Sequence, residues 1–181
     1  MATLKQRVAF AEKRISEKSG KSWTTKGRPW VIDEFWKPAT GFKLWPKDST
    51  RLCQRCSDAI GEIVEYQDEG IKCRRKAMNE GKCAGLKAEP IIMTILCLLR
   101  RSEKTFNTAS WCLSQLFQEK YKRIAYVASS EDQMLSLFRE NYAEVIARDK
   151  ALSKACDVRA SKGVIRVPSK RSMFAGLGTS H

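Results

Sequence analysis

Leu4, Val8, Ala11 and Ile15 recur at three- and four-residue intervals among lysines, arginines and glutamates. That spacing predicts a basic amphipathic helix from about Thr3 to Lys18, ended by the Ser-Gly-Lys-Ser that follows. The periodicity then lapses until Ile91–Leu99 (IIMTILCLL), an apolar run that reads as a buried strand. A basic turn, RRSEKT, leads into the helix-like FNTASWCLSQLF. A second apolar run, Arg123–Ala128 (RIAYVA), is rich in β-formers and predicts another buried strand. Ser130 followed three residues later by Gln133 fits a capping box, with Glu131 and Asp132 favouring the dipole in the first turn. Met134, Leu135, Phe138, Tyr142, Val145 and Ile146 then share one helix face, the opposite face being charged. Val164–Val167 is a third short strand, stopped by Pro168, and the final MFAGLGTSH is an apolar patch with no helix after it. Strand, helix, strand, helix predicts an α/β unit, and right-handed crossovers would make its strands parallel. So few strands read as a piece of something longer.

The composition shifts near residue 87, which suggests two regions, 1–87 and 88–181. The first is an irregular, partly helical segment: after the amphipathic helix it holds four of the five tryptophans between Trp23 and Trp45, interleaved with Lys26, Arg28, Lys37 and Lys43. Such rings either stack on nucleic-acid bases or anchor a stretch of little regular structure to a core. Lys and Arg outnumber Asp and Glu by 34 to 20, a formal charge of +14, so polyanions and nucleic acid above all are the expected partner class. No secretory h-region heads the chain, and the longest apolar run falls far short of the ~20 residues that span a bilayer. A soluble, cytoplasmic protein with no membrane partner is the expectation.

The order strand, turn, Lys104-Thr105, helix is the order of a P-loop. In such a turn the backbone N–H groups and the helix N-terminus face an anion, a Lys ammonium reaches the outer phosphates and a Thr hydroxyl ligates magnesium. Leu98 and Glu103 stand where G-x-x-x-x-G-K-[ST] has its glycines. A Lys at a helix N-terminus opposes the dipole unless an anion is near, which favours phosphate contact. Arg100 and Arg101 also suit a basic patch on a nucleic-acid backbone.

From Ala88 onward the chain resembles the N-terminal ATPase region of bacteriophage large terminase subunits. The resemblance rests on Arg100 four residues before Lys104-Thr105, on IAYVASSEDQMLSLF with Gln133 near the start of its helix, and on VIRVPSKRSMFAGL. It implies a P-loop NTPase-like parallel sheet with flanking helices, and an ATP-driven DNA-packaging hydrolase with ATP and Mg2+ as cofactors. Carried over, Lys104 binds the β- and γ-phosphates, Thr105 holds magnesium and Arg100 is the catalytic arginine beside the γ-phosphate. Arg101, Ser102, Glu103 and Gln133 complete the implied nucleotide site. The implied partners are double-stranded DNA, the phage portal and capsid, and the small terminase subunit, in the host cytoplasm. Asp132, Asp149 and Asp157 are the aspartates after Thr105, and none ends an apolar strand as a Walker B Asp-Glu pair does. The chain is therefore expected to be a fragment cut before that strand and before the nuclease, unable to hydrolyse ATP alone.

The seven cysteines, an odd count, point to reduced thiols or a metal site. Cys53-x-x-Cys56 has knuckle spacing, and Cys73 and Cys83 would complete a four-cysteine Zn2+ site; the alternative is a pair of half-buried thiols on a helix. Cys97, Cys112 and Cys156 read as core residues. With zinc, the alternative function is a non-enzymatic, basic nucleic-acid-binding protein in which RRSEKT is a contact loop.

Overall fold

Thr3 opens the first helix, α1 (Leu4–Arg14), through a full capping box: its hydroxyl accepts from the Gln6 N–H at 3.1 Å and the Gln6 side-chain carbonyl accepts from the Thr3 N–H at 2.9 Å. Lys13 and Arg14 close the last turn, where cations complement the dipole. The helix ends short of the expected Lys18 because the chain folds back on itself. Gly20 sits at φ +81°, Ser16 and Ser22 form a β-bridge, and the Trp23 N–H reaches the Ile15 carbonyl at 2.8 Å. The computed structural model describes residues 2–17, 19–26, 28, 30–46, 63–64, 86–90 and 103–179.

The chain forms two units, one of Met1–Lys26 with Leu98–His181 and the other of Gly27–Cys97. The division expected at residue 87 grouped α1 with the Trp- and Cys-rich stretches; in the structure α1 belongs with the C-terminal half, packed along its first long helix. The described part of the Gly27–Cys97 unit holds regular elements that the sequence does not suggest. A π-helical run, Val31–Trp36, continues into α2 (Lys37–Thr40). An antiparallel sheet follows, order β2-β1-β3, made of β1 (Phe42–Pro46), β2 (Ile63–Val64) and β3 (Leu86–Pro90). Among the described residues of this unit, Val31, Phe35, Trp36 and Leu86 are the buried hydrophobic ones. Trp23 and Trp36 are both fully buried, in different units, which makes these two rings anchors and not a stacking surface.

In the other unit α3 (Lys104–Gln118) is followed by β4 (Arg123–Ala128) and a long helical stretch. That stretch is α4 (Glu131–Phe138), a π turn (Arg139–Ala143) and α5 (Glu144–Arg148). The π turn has a reason in the sequence. The apolar positions 134, 138, 142 and 146 are four apart, so on a 3.6-residue helix they drift round the surface, and one widened turn returns them to a single face. Met134, Phe138, Tyr142 and Ile146 are accordingly all buried. Then come α6 (Lys150–Ala155), β5 (Asp157–Arg159), β6 (Val164–Val167) and β7 (Ser172–Gly178).

The sheet order is β4-β7-β6-β5, and here the all-parallel expectation needs correction. β4 and β7 run parallel, from Arg123↔Met173 to Ala128↔Gly178, but β6 pairs antiparallel with both β5 and β7. Parallel neighbours need a crossover of about a dozen residues. β6 and β7 are joined by the 3-10 turn Pro168–Lys170 and Arg171 at φ 52°, which permits only a reversal. α3 and α4 both pack on β4 and β7. The rings of Phe138, Tyr142 and Phe174 cluster there at centroid distances of 4.4 to 5.9 Å. Each such ring, fully buried, contributes about 1.5–3 kcal/mol.

Two glycines in β7 mark close approaches. A Cβ at Gly176 would lie 2.3 Å from the Met134 sulfur, whereas one at Gly178 would lie 2.4 Å from the backbone N and Cα of Glu131. A thioether can swing aside; a helix N-terminus cannot. Gly178→Ala is therefore expected to destabilise the protein by about 1–3 kcal/mol in urea denaturation, and more than Gly176→Ala does.

Candidate nucleotide site

The turn into α3 carries the candidate chemistry. Glu103, immediately before Lys104, has φ 55° and ψ 20°, the left-handed conformation that costs a non-glycine residue about 1–2 kcal/mol. Its side chain makes no capping hydrogen bond to the helix. The conformation is held from below by Asn107, fully buried, whose backbone N–H and side-chain Nδ2 each donate to the Glu103 carbonyl at 3.0 Å. Asn107 Oδ1 in turn accepts from Nε1 of the buried Trp23 at 2.9 Å. The hairpin after α1 thus locks the turn before Lys104.

Lys104 is exposed and Thr105 half-buried, both on the wall of a cleft of about 480 Å³. The facing wall comes from the long helical stretch: Leu137, Glu140, Asn141, Val145 and Arg148. The π turn delivers Glu140 and Asn141, and Asn141 Nδ2 donates to the Leu137 carbonyl at 3.0 Å. Arg148 is fixed on two sides, Nη1 donating to the Glu17 carbonyl at 2.8 Å and Nη2 pairing with Glu144 at 2.9 Å. Glu140, Asn141 and Arg148 are candidate site residues that the sequence reading missed. Asn141, a polar residue directly beside the apolar stripe of 138, 142 and 145, was the available signal.

Gln133 stands elsewhere. Its side chain accepts from the Ser129 N–H at 3.3 Å and from the Ser129 hydroxyl, while the Gln133 N–H donates to Ser130 Oγ at 3.2 Å. One half of the expected capping box is present, and the other is shifted by one residue. The Thr179 hydroxyl donates to the Ser129 carbonyl, so this cluster occupies the carboxyl ends of β4 and β7 and does not line the Lys104 cleft. Arg100, Arg101, Ser102, the apolar run Ile91–Leu99, and the zinc candidates Cys53, Cys56, Cys73 and Cys83 lie outside the described residues.

Two described thiols are inert. Burial pushes Cys112 up to about 11, against a smaller opposing hydrogen bond with Tyr142, and burial with nearby Asp157 pushes Cys156 up to about 11. Neither is a thiolate at neutral pH, as nucleophiles and metal ligands must be. Among the described residues no cluster of three or more His, Cys, Asp or Glu side chains could hold a metal ion, and no helix is long and apolar enough to cross a membrane.

No family model and no curated protein matches this sequence. The crystal structure of the HK97 bacteriophage large terminase does match, with a TM-score of 0.62 over 100% of this chain at 14% identity. The fold is terminase-like. This chain spans 29% of the HK97 terminase chain.

Proposed function

We propose that this chain is the nucleotide-binding portion of a phage large terminase, the ATP-driven motor that packages DNA. The observation that carries the reading is the left-handed residue directly before Lys104-Thr105 at the start of a 15-residue helix, in a terminase-like fold. A phosphate-cradling turn needs that backbone shape, which is why glycine ordinarily precedes the Lys of such loops. A cleft of about 480 Å³ beside it also has the size of a ligand site.

In this reading the Lys104 ammonium neutralises the outer phosphates and the first N–H groups of α3 face them. The Thr105 hydroxyl is the magnesium ligand, and Arg100 stabilises charge on the γ-phosphate. Bound at Thr105, magnesium would supply charge neutralisation at the phosphates. The three aspartates after Thr105 stand away from the Lys104 cleft. Asp149 caps α6 through the N–H groups of Ala151 and Leu152 at 2.8 and 2.9 Å and pairs with Arg14 at 3.3 Å. Burial pushes its carboxyl up, but these donors outweigh it and hold the carboxyl below its usual range. Asp157 pairs with Arg159, and Asp132 lies in the first turn of α4. The role proposed for this chain is thus nucleotide binding, with double-stranded DNA and the portal as partners of the motor.

Titration calorimetry with magnesium and ATP tests this. Saturable binding is expected for the native chain, with a loss of at least tenfold in Lys104→Ala at unchanged circular dichroism. Absence of binding by the folded native chain would overturn the nucleotide reading.

A further inference from the structure

At the other end of α3, about 20 Å along its axis from Lys104, lies a larger cleft of about 990 Å³. It is bounded by α1, the end of α3, the loop before β4 and the turn before β7. Four lysines line it: Lys13, Lys120, Lys122 and Lys170. Its one lining carboxylate, Glu119, is already engaged by Arg7 and by Lys122 at 2.7 Å. Lys13, Lys120 and Lys170 have no ion-pair partner among the described residues, so the cleft carries an uncompensated positive field.

Lysines near the C-terminal end of α3 are in part answered by the helix dipole. That accounts for Lys120 and Lys122, but not for Lys13 on α1 or Lys170 before β7. The second feature is aromatic: Phe10 and Phe117, stacked at 6.1 Å and 24°, form the apolar wall between the lysines. Phe117 is buried and Phe10 half-buried, so Phe10 is the ring the cleft can reach. A basic track beside a ring is the arrangement that holds unpaired nucleotides, phosphates on the cations and a base on the ring. In a duplex the base faces are stacked inside, and the ring would add nothing.

We propose that this cleft holds a short stretch of single-stranded nucleic acid, its phosphates on Lys13, Lys120 and Lys170 and one base stacked on Phe10. The site is separate from the Lys104 cleft and stands whether or not that cleft takes a nucleotide.

The test is fluorescence anisotropy of the full chain with labelled oligothymidine, across a range of salt. Lys13→Glu with Lys170→Glu should weaken binding at least tenfold and lower the salt slope by about 1.4, at ~0.7 for each phosphate deprived of its cation. Phe10→Leu, which keeps an apolar wall, should weaken it at least fivefold with little change in that slope. Lys104→Ala should bind the oligonucleotide as the native chain does, and the double lysine variant should keep its calorimetric response to magnesium-ATP. Unchanged oligonucleotide affinity in the double variant would overturn the site. So would displacement by polyglutamate as effective as by unlabelled oligothymidine, or a blunt hairpin duplex binding as tightly as the single strand. Loss of oligonucleotide binding in Lys104→Ala would refute its separateness.

Discussion

Replacing Arg7 by alanine is expected to lower the unfolding free energy by about 3–5 kcal/mol, the usual cost of leaving one partner of a buried ion pair alone. Arg7 is fully buried on α1, and Glu119, 6% exposed at the end of α3, is its partner. Gln115, with its amide turned carbonyl first, also accepts from Arg7 at 2.8 and 3.1 Å. Glu119 further accepts from the Ala2 N–H at 3.1 Å and from Lys122. Urea denaturation should show Arg7→Met with Glu119→Leu regaining much of what Arg7→Ala loses, because buried pairs are replaced by apolar ones at little cost. If the double variant were as unstable as the single one, the pair would be contributing net stability itself. The same pair makes the protein acid-sensitive. Burial pushes the Glu119 carboxyl up, but Lys122, Arg7 and the Ala2 amide outweigh it, so it titrates below its ordinary value of 4.5. A carboxylate lowered by folding adds stability above its unfolded value and loses it as the pH falls through the folded one. Stability should therefore fall on acidification below pH 4.5, and less steeply in Arg7→Met/Glu119→Leu.

Glu103→Gly is expected to tighten magnesium-ATP binding at least tenfold. Two effects act at this residue. A carboxylate ~4 Å from a phosphate charge opposes it by about 4 kcal/mol at an effective dielectric near 20. The left-handed backbone costs a further ~1–2 kcal/mol, which glycine avoids at an entropic cost of about 0.5–1 kcal/mol. Glu103→Ala separates the two: it should gain affinity in calorimetry without the rise in unfolding midpoint that glycine gives. Equal affinity in all three proteins would mean that the Glu103 carboxylate points away from the phosphates.

Several elements of the Leu98–His181 region are legible in the sequence because their signals are local. The α4 cap at Ser130, the strand at Arg123–Ala128 and the strand ended by Pro168 depend on residues a few positions apart. From the residues alone β7 reads only as an apolar patch, because its glycines weaken the strand pattern. Their role is visible only once Met134 and the Glu131 backbone lie against them. The mixed sheet was hidden likewise: short connections at Ala160–Lys162 and Pro168–Lys170 force reversals, while the parallel β4·β7 pair joins residues far apart in sequence. Of the candidate site, Lys104 and Thr105 followed from their order after an apolar run. Of the facing wall, Glu140 and Asn141 sit on the π turn and Arg148 ends α5, and Asn141, polar beside the apolar stripe, is the one sequence signal among the three.

Arg7 and Glu119 are separated by 112 residues of sequence. During synthesis at about 5–20 residues per second, α1 therefore emerges several seconds before α3 exists to receive it. Eleven residues are too few for a helix to persist alone in water. Through that interval the nascent chain must keep a basic, half-apolar segment out of other contacts while the whole Gly27–Cys97 unit is made, so the ribosome and its attendant chaperones see an unfinished protein whose first helix is among the last parts to settle.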